Sequence, residues 1–143
     1  MTTREVIVPG WPDPKGYANG RVGEGRALYV GGQIGWDERR AFPPGGLVPQ
    51  LARALDNVLA VVRAAGGAAE DIASMTVFVT SIEDYRAAQR ALGPVWRERM
   101  GRHYPAMALV AVTALVEPEA VVEIQAIASI SERSPIAAQG GSP

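Results

Sequence analysis

One glutamate inside an apolar run, one histidine, three close glycines and a loop tyrosine are the residues with the most evident chemical reach. In "VVEIQAIAS" (residues 121–129) the alternation of a strand puts Val122, Ile124, Ala126 and Ala128 on one face. Glu123, Gln125 and Ile127 then point to the other. A carboxylate in that setting is costly unless it is hydrogen-bonded or close to water in a cleft. A partly buried carboxyl group suits general acid–base work near neutral pH, whereas the plain reading is a satisfied glutamate at an interface. His103, the single histidine, stands at the entrance to "HYPAMALVAV" (103–112). It either reaches the rim of a cleft or caps a helix end, where the helix dipole favours a cation. "YVGGQIGW" (29–36) places Gly31, Gly32 and Gly35 directly after a strand. The spacing is not that of a nucleotide fingerprint, because no helix follows directly. The glycines either open backbone N–H groups to a ligand or mark a bulge, and Gln33 either orients that ligand or satisfies the loop. Tyr17, in "GYANG", either closes over a pocket or packs.

Composition removes several kinds of chemistry. The chain has 143 residues, enough for one hydrophobic core, with 48% hydrophobic and 20% charged residues. It has no cysteine, so disulfides and thiolate catalysis are excluded. One histidine cannot build a multi-histidine metal site. Lys15 is the only lysine and lies in a Pro/Gly loop, unlike the desolvated pocket that a Schiff-base lysine needs. The formal net charge is −1, and Arg39-Arg40 is too small a basic patch to predict nucleic-acid binding. The N-terminus lacks the apolar stretch of a signal peptide and no run is long enough to span a membrane, so a cytoplasmic protein is expected.

Several elements must position these residues. "REVIVPG" (4–10) and the segment from Ala27 to Val30 read as strands, separated by a Pro/Gly-rich loop. Leu51, Leu55, Val58 and Val62 recur on one face of a helix beginning near Leu47, with Pro49 in its first turn and Gly66-Gly67 as its stop. Gln50 and Asn57, seven residues apart on that helix, suit side-chain bonds to loop backbone. "DIASMTVFVTS" (71–81) is a strand. Ser81 and Asp84 open a second helix with Tyr85, Ala88, Leu92 and Trp96 on one face. Gly93-Pro94 is expected to interrupt and kink it. Two further strands, 106–116 and 120–130, follow. The reading is a single α+β domain over residues 1–130, a mixed sheet of about six strands packed against two helices, with 131–143 as a disordered tail. Two helices cannot cover both faces of such a sheet, yet its strands are apolar at nearly every position. Self-association is therefore expected.

"GYANG", "LYVGGQIG", "QLARALDNVLAVVRAAGG", "DIASMTVFVTSIEDY", "HYPAMALVAV" and "VEIQAIA" together resemble the Rid/YjgF family of reactive-intermediate deaminases. The resemblance runs from about Gly16 to Ala128. It implies a chorismate-mutase-like fold assembled as a homotrimer with ligand clefts between subunits. Active members hydrolyse amino-acid-derived enamines and imines, releasing ammonia without metal or organic cofactor. By this resemblance Tyr17 matches a pocket tyrosine, and Gly31 and Gly32 match a strand-end Ser-Gly. Gln89 stands where asparagine is usual, and Glu123 matches the glutamate that handles water. The pattern breaks at Met107, where deaminase members carry an arginine that grips the substrate carboxylate. Methionine is uncharged and only a weak acceptor, and loss of such a partner costs about 2–5 kcal/mol.

The expected function is hydrolysis or tautomerisation of a small enamine, imine or related metabolite, not a simple carboxylate-anchored iminoacid. Glu123 would act on water, Tyr17 and Gln33 would orient the ligand, and Met107 and Trp36 would line the pocket, with His103 at its rim. Arg90 and Arg97 are the arginines whose reach to position 107 would restore a carboxylate site. The alternative is a non-catalytic metabolite-binding or regulatory trimer. RNA cleavage, found in some relatives, is disfavoured by the acidic balance.

Overall fold

A computed structural model describes residues 2–137. The elements are β1 (Thr3–Glu5), β2 (Arg21–Gly23), β3 (Arg26–Ile34), α1 (Leu47–Ala64), β4 (Ile72–Val79), α2 (Ile82–Met100), β5 (Ala106–Ala111) and β6 (Val122–Ile130). The order β-β-β-α-β-α-β-β has one strand more before the first helix than the two read there: β2 was not expected, and β1 ends at Glu5 instead of running to residue 10. Four strands form a mixed sheet in the order β3-β6-β4-β5, while β1 and β2 pair as a separate antiparallel ribbon. Only β4 and β5 run parallel, and α2 supplies the crossover that a parallel pair requires.

Both helices lie on one face of the sheet. Helix α1 buries Leu51, Ala54, Leu55, Val58, Leu59 and Val62 against the inward residues of β3 and β6. In β6 every second residue from Val122 to Ile130 is buried, so the alternation read from "VVEIQAIAS" is the alternation found. The helix closes as its glycines demand: Gly66 adopts φ +87°, and the Gly67 N–H donates back to the Val62 carbonyl at 2.9 Å. At the start of α2 the Ser81 hydroxyl accepts from the Asp84 N–H at 3.1 Å.

Three more elements differ from expectation. Strand β3 continues through its glycines to Ile34, with its register to β6 shifting between Val30 and Gln33. Gly31-Gly32 is thus the bulge that was one reading of these glycines, but it lies inside a strand that runs on past Val30. Helix α2 is assigned without a break through Gly93-Pro94. Pro94 and Arg90 are both exposed, so the Arg90 carbonyl that loses its donor faces water, which can replace it. Strand β5 stops at Ala111, where its ladder with β4 runs out, although the apolar run continues to Val116. Of the segment 131–143, residues 131–137 form neither helix nor strand, with Ser131 and Ser134 carbonyls held by Arg26; residues 138–143 lie outside the described residues.

Two amides tie α1 to the far ends of β3 and β6. Gln50, only 5% exposed, donates to the Glu119 carbonyl and accepts from the Val121 N–H, each at 2.9 Å. Asn57 donates to the carbonyls of Ile34 at 2.9 Å and Trp36 at 3.0 Å. Both residues thus bond loop and strand-end backbone, the role their spacing suggested. Replacing Gln50 by alanine strands a backbone donor and an acceptor, and is expected to cost about 1–3 kcal/mol of folding free energy, read from urea denaturation.

Candidate functional site

The sheet has one covered and one open face. Register places Tyr29, Ile127 and Ser74 side by side on the open face, followed by Gln125 with Thr76 and Ala108, then Glu123 with Phe78 and Val110. Tyr29 is 75% exposed, Val110 43% and Ile127 40%. Side chains of this size left in water on one face mark a surface built for contact.

Glu123 stands half-buried at the end of this face, beside the bulge of β3. A Cβ atom at position 32 would collide with its carboxylate, lying 2.8 Å from Cδ, so the glutamate rests against bare glycine backbone. Gly31 has open space where a side chain would be, and Gln33 donates to the Gly31 carbonyl at 3.2 Å. Glu123, Gly31, Gly32 and Gln33 are therefore brought together. The three ion pairs among the described residues, Arg53–Glu38, Arg99–Asp56 and Arg99–Glu98, leave Glu123 without a counter-charge.

A second group gathers on the covered side, at the β5 edge. Tyr17, Gln89 and Met107 share a cavity of about 400 Å³ with Trp96, Tyr104 and Leu109. Met107 lies opposite Met75 in the parallel ladder, and both pack into the core side of the sheet. The loop carrying Tyr17 is docked there by the Ala18 N–H, which donates to the Pro105 carbonyl at 2.9 Å. Trp96 and Tyr104 stack with ring centroids 5.8 Å apart and planes within 4°. A wall so rich in aromatic and aliphatic groups, with few polar ones, has the make-up of a small-molecule site. Within one chain this cavity and Glu123 lie on opposite faces of the sheet.

Two sequence-nominated residues sit elsewhere. Trp36 packs on Phe42 at 5.9 Å and beneath Arg40, outside the cavity that Met107 lines. His103 is 8% exposed and its Nε2 lies 2.8 Å from the Ile72 carbonyl. A carbonyl only accepts, so Nε2 carries the proton. The ring borders a separate, more polar recess together with Arg21, Tyr17 and Tyr104. Of the two arginines considered for the Met107 pocket, Arg97 lines this cavity and Arg90 does not; Leu109 was not assigned to it from sequence alone. Leu109 follows Met107 by two on one strand face, so spacing could have found it. Among the described residues no three His, Asp or Glu side chains cluster as a metal site, and no helix is long and apolar enough to cross a membrane.

This arrangement defines a fold with an edge cavity, an isolated strand carboxylate and an open sheet face. The model of the family described as Endoribonuclease L-PSP matches residues 12–130. The chain belongs to that family, the Rid/YjgF proteins. A "2-iminobutanoate/2-iminopropanoate deaminase" of Capra hircus is 33% identical over 104 residues, covering 72% of each chain. Among solved structures, a Rid family protein of Yersinia pestis superposes with a TM-score of 0.78 at 26% identity, covering 91% of this chain and all of that one. E. coli TdcF with bound serine gives 0.65 at 30% identity, covering 90% and 99%.

Burial holds the His103 imidazole below its ordinary value of 6.5; the Ile72 carbonyl opposes this and Arg21 adds to it. The unfolded chain then takes up a proton that the folded one resists. Stability from this group is complete above the unfolded value and is lost as pH falls below it. Urea denaturation at pH 7, 6 and 5 is expected to show a shallower loss for His103→Gln than for the parent chain.

Proposed function

We propose that the protein hydrolyses a small imine or enamine without a cofactor, in clefts that form when copies of the chain cover one another's open sheet faces. The observation that carries this reading is Glu123, a half-buried carboxylate against glycine backbone with no ion-pair partner. Relatives named as iminoacid deaminases, at 30–33% identity, support the same chemistry.

The steps balance on water and one carboxylate. Glu123 takes a proton from water as the water oxygen bonds to the carbon of the protonated imine, giving a carbinolamine. The carboxyl group then returns a proton to the nitrogen. The C–N bond breaks as the carbinolamine hydroxyl gives its proton to the Glu123 carboxylate, releasing ammonia and leaving a carbonyl product. An enamine first gains a proton on carbon to become the imine. Backbone N–H groups at the Gly31-Gly32 bulge would bind the polar end, and Tyr17 and Gln89 of a neighbouring copy would face it across the cleft. Met107 supplies no charge, so simple carboxylate-anchored iminoacids held from this strand position are not the substrates.

A closed ring of three copies would cover the open face of each, the kind of closed arrangement that symmetric self-association favours. Ile127→Asp puts a charge into the covered face and is expected to shift the protein from trimer to monomer in sedimentation velocity. Glu123→Gln should lower ammonia release from imines formed in situ by an amino-acid oxidase by about 100-fold or more, with the sedimentation profile unchanged. An equal catalysed rate in parent and variant would remove Glu123 from the reaction, and no release above the uncatalysed rate by the parent would leave only the non-catalytic binding role.

A further inference from the structure

The cavity at the β5 edge has a charged wall that the family pattern does not explain. Its lining contains two cationic groups, Lys15 and Arg97, and no carboxylate. Arg97 lies on α2, exposed, and takes part in none of the three ion pairs among the described residues. Its guanidinium folds back along the helix over Gly93, where a Cβ atom would come within 3.2 Å of Nη1. Gly93, four residues earlier, is thus the gap through which this arginine reaches the cavity. A residue with a long side chain there would occupy the same space.

Resting on the reading above, we propose that Arg97 is the anion-binding residue of this site, gripping a carboxylate from the helix side while the ligand's apolar body lies on Met107 and Leu109. A guanidinium presents a planar fork matched to a carboxylate, so one free arginine can replace another at a different place on the wall. The shift of anchor changes the ligand. With charge on the helix and thioether and aliphatic groups on the strand, the strand side of the cavity accepts bulk that an arginine at position 107 would fill. About 400 Å³ lined by Trp96, Tyr104, Tyr85, Leu109 and Met107 suits an aromatic or large aliphatic body. The substrate class is therefore the imine or enamine of a bulky, apolar 2-oxo acid. The Lys15 ammonium, on the loop before Tyr17, adds attraction at the same mouth.

Stable oxo acids test this without turnover. Titration calorimetry with phenylpyruvate, its methyl ester and pyruvate, on the assembled full-length protein, separates charge from bulk. The parent chain is expected to bind phenylpyruvate roughly 30-fold or more tightly than the ester, and more tightly than pyruvate. Arg97→Met should remove the advantage over the ester and leave ester affinity unchanged, while Arg97→Lys should restore part of it. Because Arg97 is exposed on a helix, circular dichroism melts of these variants should overlay the parent's. Phenylpyruvate bound equally by parent and Arg97→Met, or pyruvate preferred over phenylpyruvate, would overturn the proposal. Loss of ammonia release in Glu123→Gln together with normal carboxylate binding in Arg97→Met would overturn this inference alone. Arg97-dependent carboxylate binding in a protein that releases no ammonia would uphold the anchor and remove the hydrolytic reading.

Discussion

Everything at the Glu123 end of the molecule depends on how closely α1 approaches the exit of β3. At Gly35 a Cβ would come 2.7 Å from the Gln50 Cα, so only glycine lets helix and strand backbones meet. That contact brings two carboxamides within reach of backbone groups that the ladder leaves unpaired beyond the strand ends. Gln50 holds Glu119 and Val121; Asn57 holds Ile34 and Trp36. Ile34 is the register partner of Glu123, and Val121 precedes it by two. The amides thereby fix both strands that carry the carboxylate, without touching it. Buried backbone groups need partners, and here the partners also set the geometry of the site.

The same packing leaves the sheet with an uncovered face. Helices α1 and α2 cannot be on both sides, and the residues facing away from them include Tyr29, Ile127, Phe78 and Val110. Glu123 shares that face, while Met107, Gln89 and Tyr17 bound a cavity around the edge of β5. An acid and a pocket that one chain keeps apart can meet only when a second chain is laid against the first. On the function proposed above, covering that apolar surface would also complete the cleft.

Periodic signals in the sequence were legible wherever burial follows a repeat. The four-residue and three-residue spacings of Leu51 to Val62 gave α1, and the alternation from Val122 gave β6 with its faces correctly assigned. Fold class and the element order from α1 onward followed from these. Signals that depend on what lies opposite were not legible. A bulge was one reading of the glycines after Val30, but that the strand continues was not legible: β6 pairs on both sides of the bulge and carries β3 through it. Gly93-Pro94 read as a break, but the orphaned carbonyl faces water and the helix continues. The apolar run after Ala111 read as strand, but β4 has no residues left to pair with it beyond Val79. At the site, residue types nominated Glu123 and its glycines, and these are assembled in one place. His103 drew attention by being unique, yet its ring faces the Ile72 carbonyl beside a different recess, which composition cannot reveal.

Met107 and Gly93 make sense together more readily than apart. In the ladder Met107 meets Met75, and the next inward pair is Leu109 with Val77. An arginine at that position would bring a charge to a wall of thioether and aliphatic groups, where only a bound anion would offset its desolvation. Methionine removes that demand and keeps the wall intact in the absence of ligand. A glycine inside a helix carries its own cost, about 1 kcal/mol relative to alanine, and α2 accepts it next to a proline. A helix-weakening glycine beside a helix-weakening proline is poorly explained by packing. It is well explained if the space above Gly93 is where the Arg97 guanidinium has to lie. Moving the charge from strand to helix then leaves the strand face of the cavity free for apolar groups, and the cation sits where water can solvate it until an anion arrives.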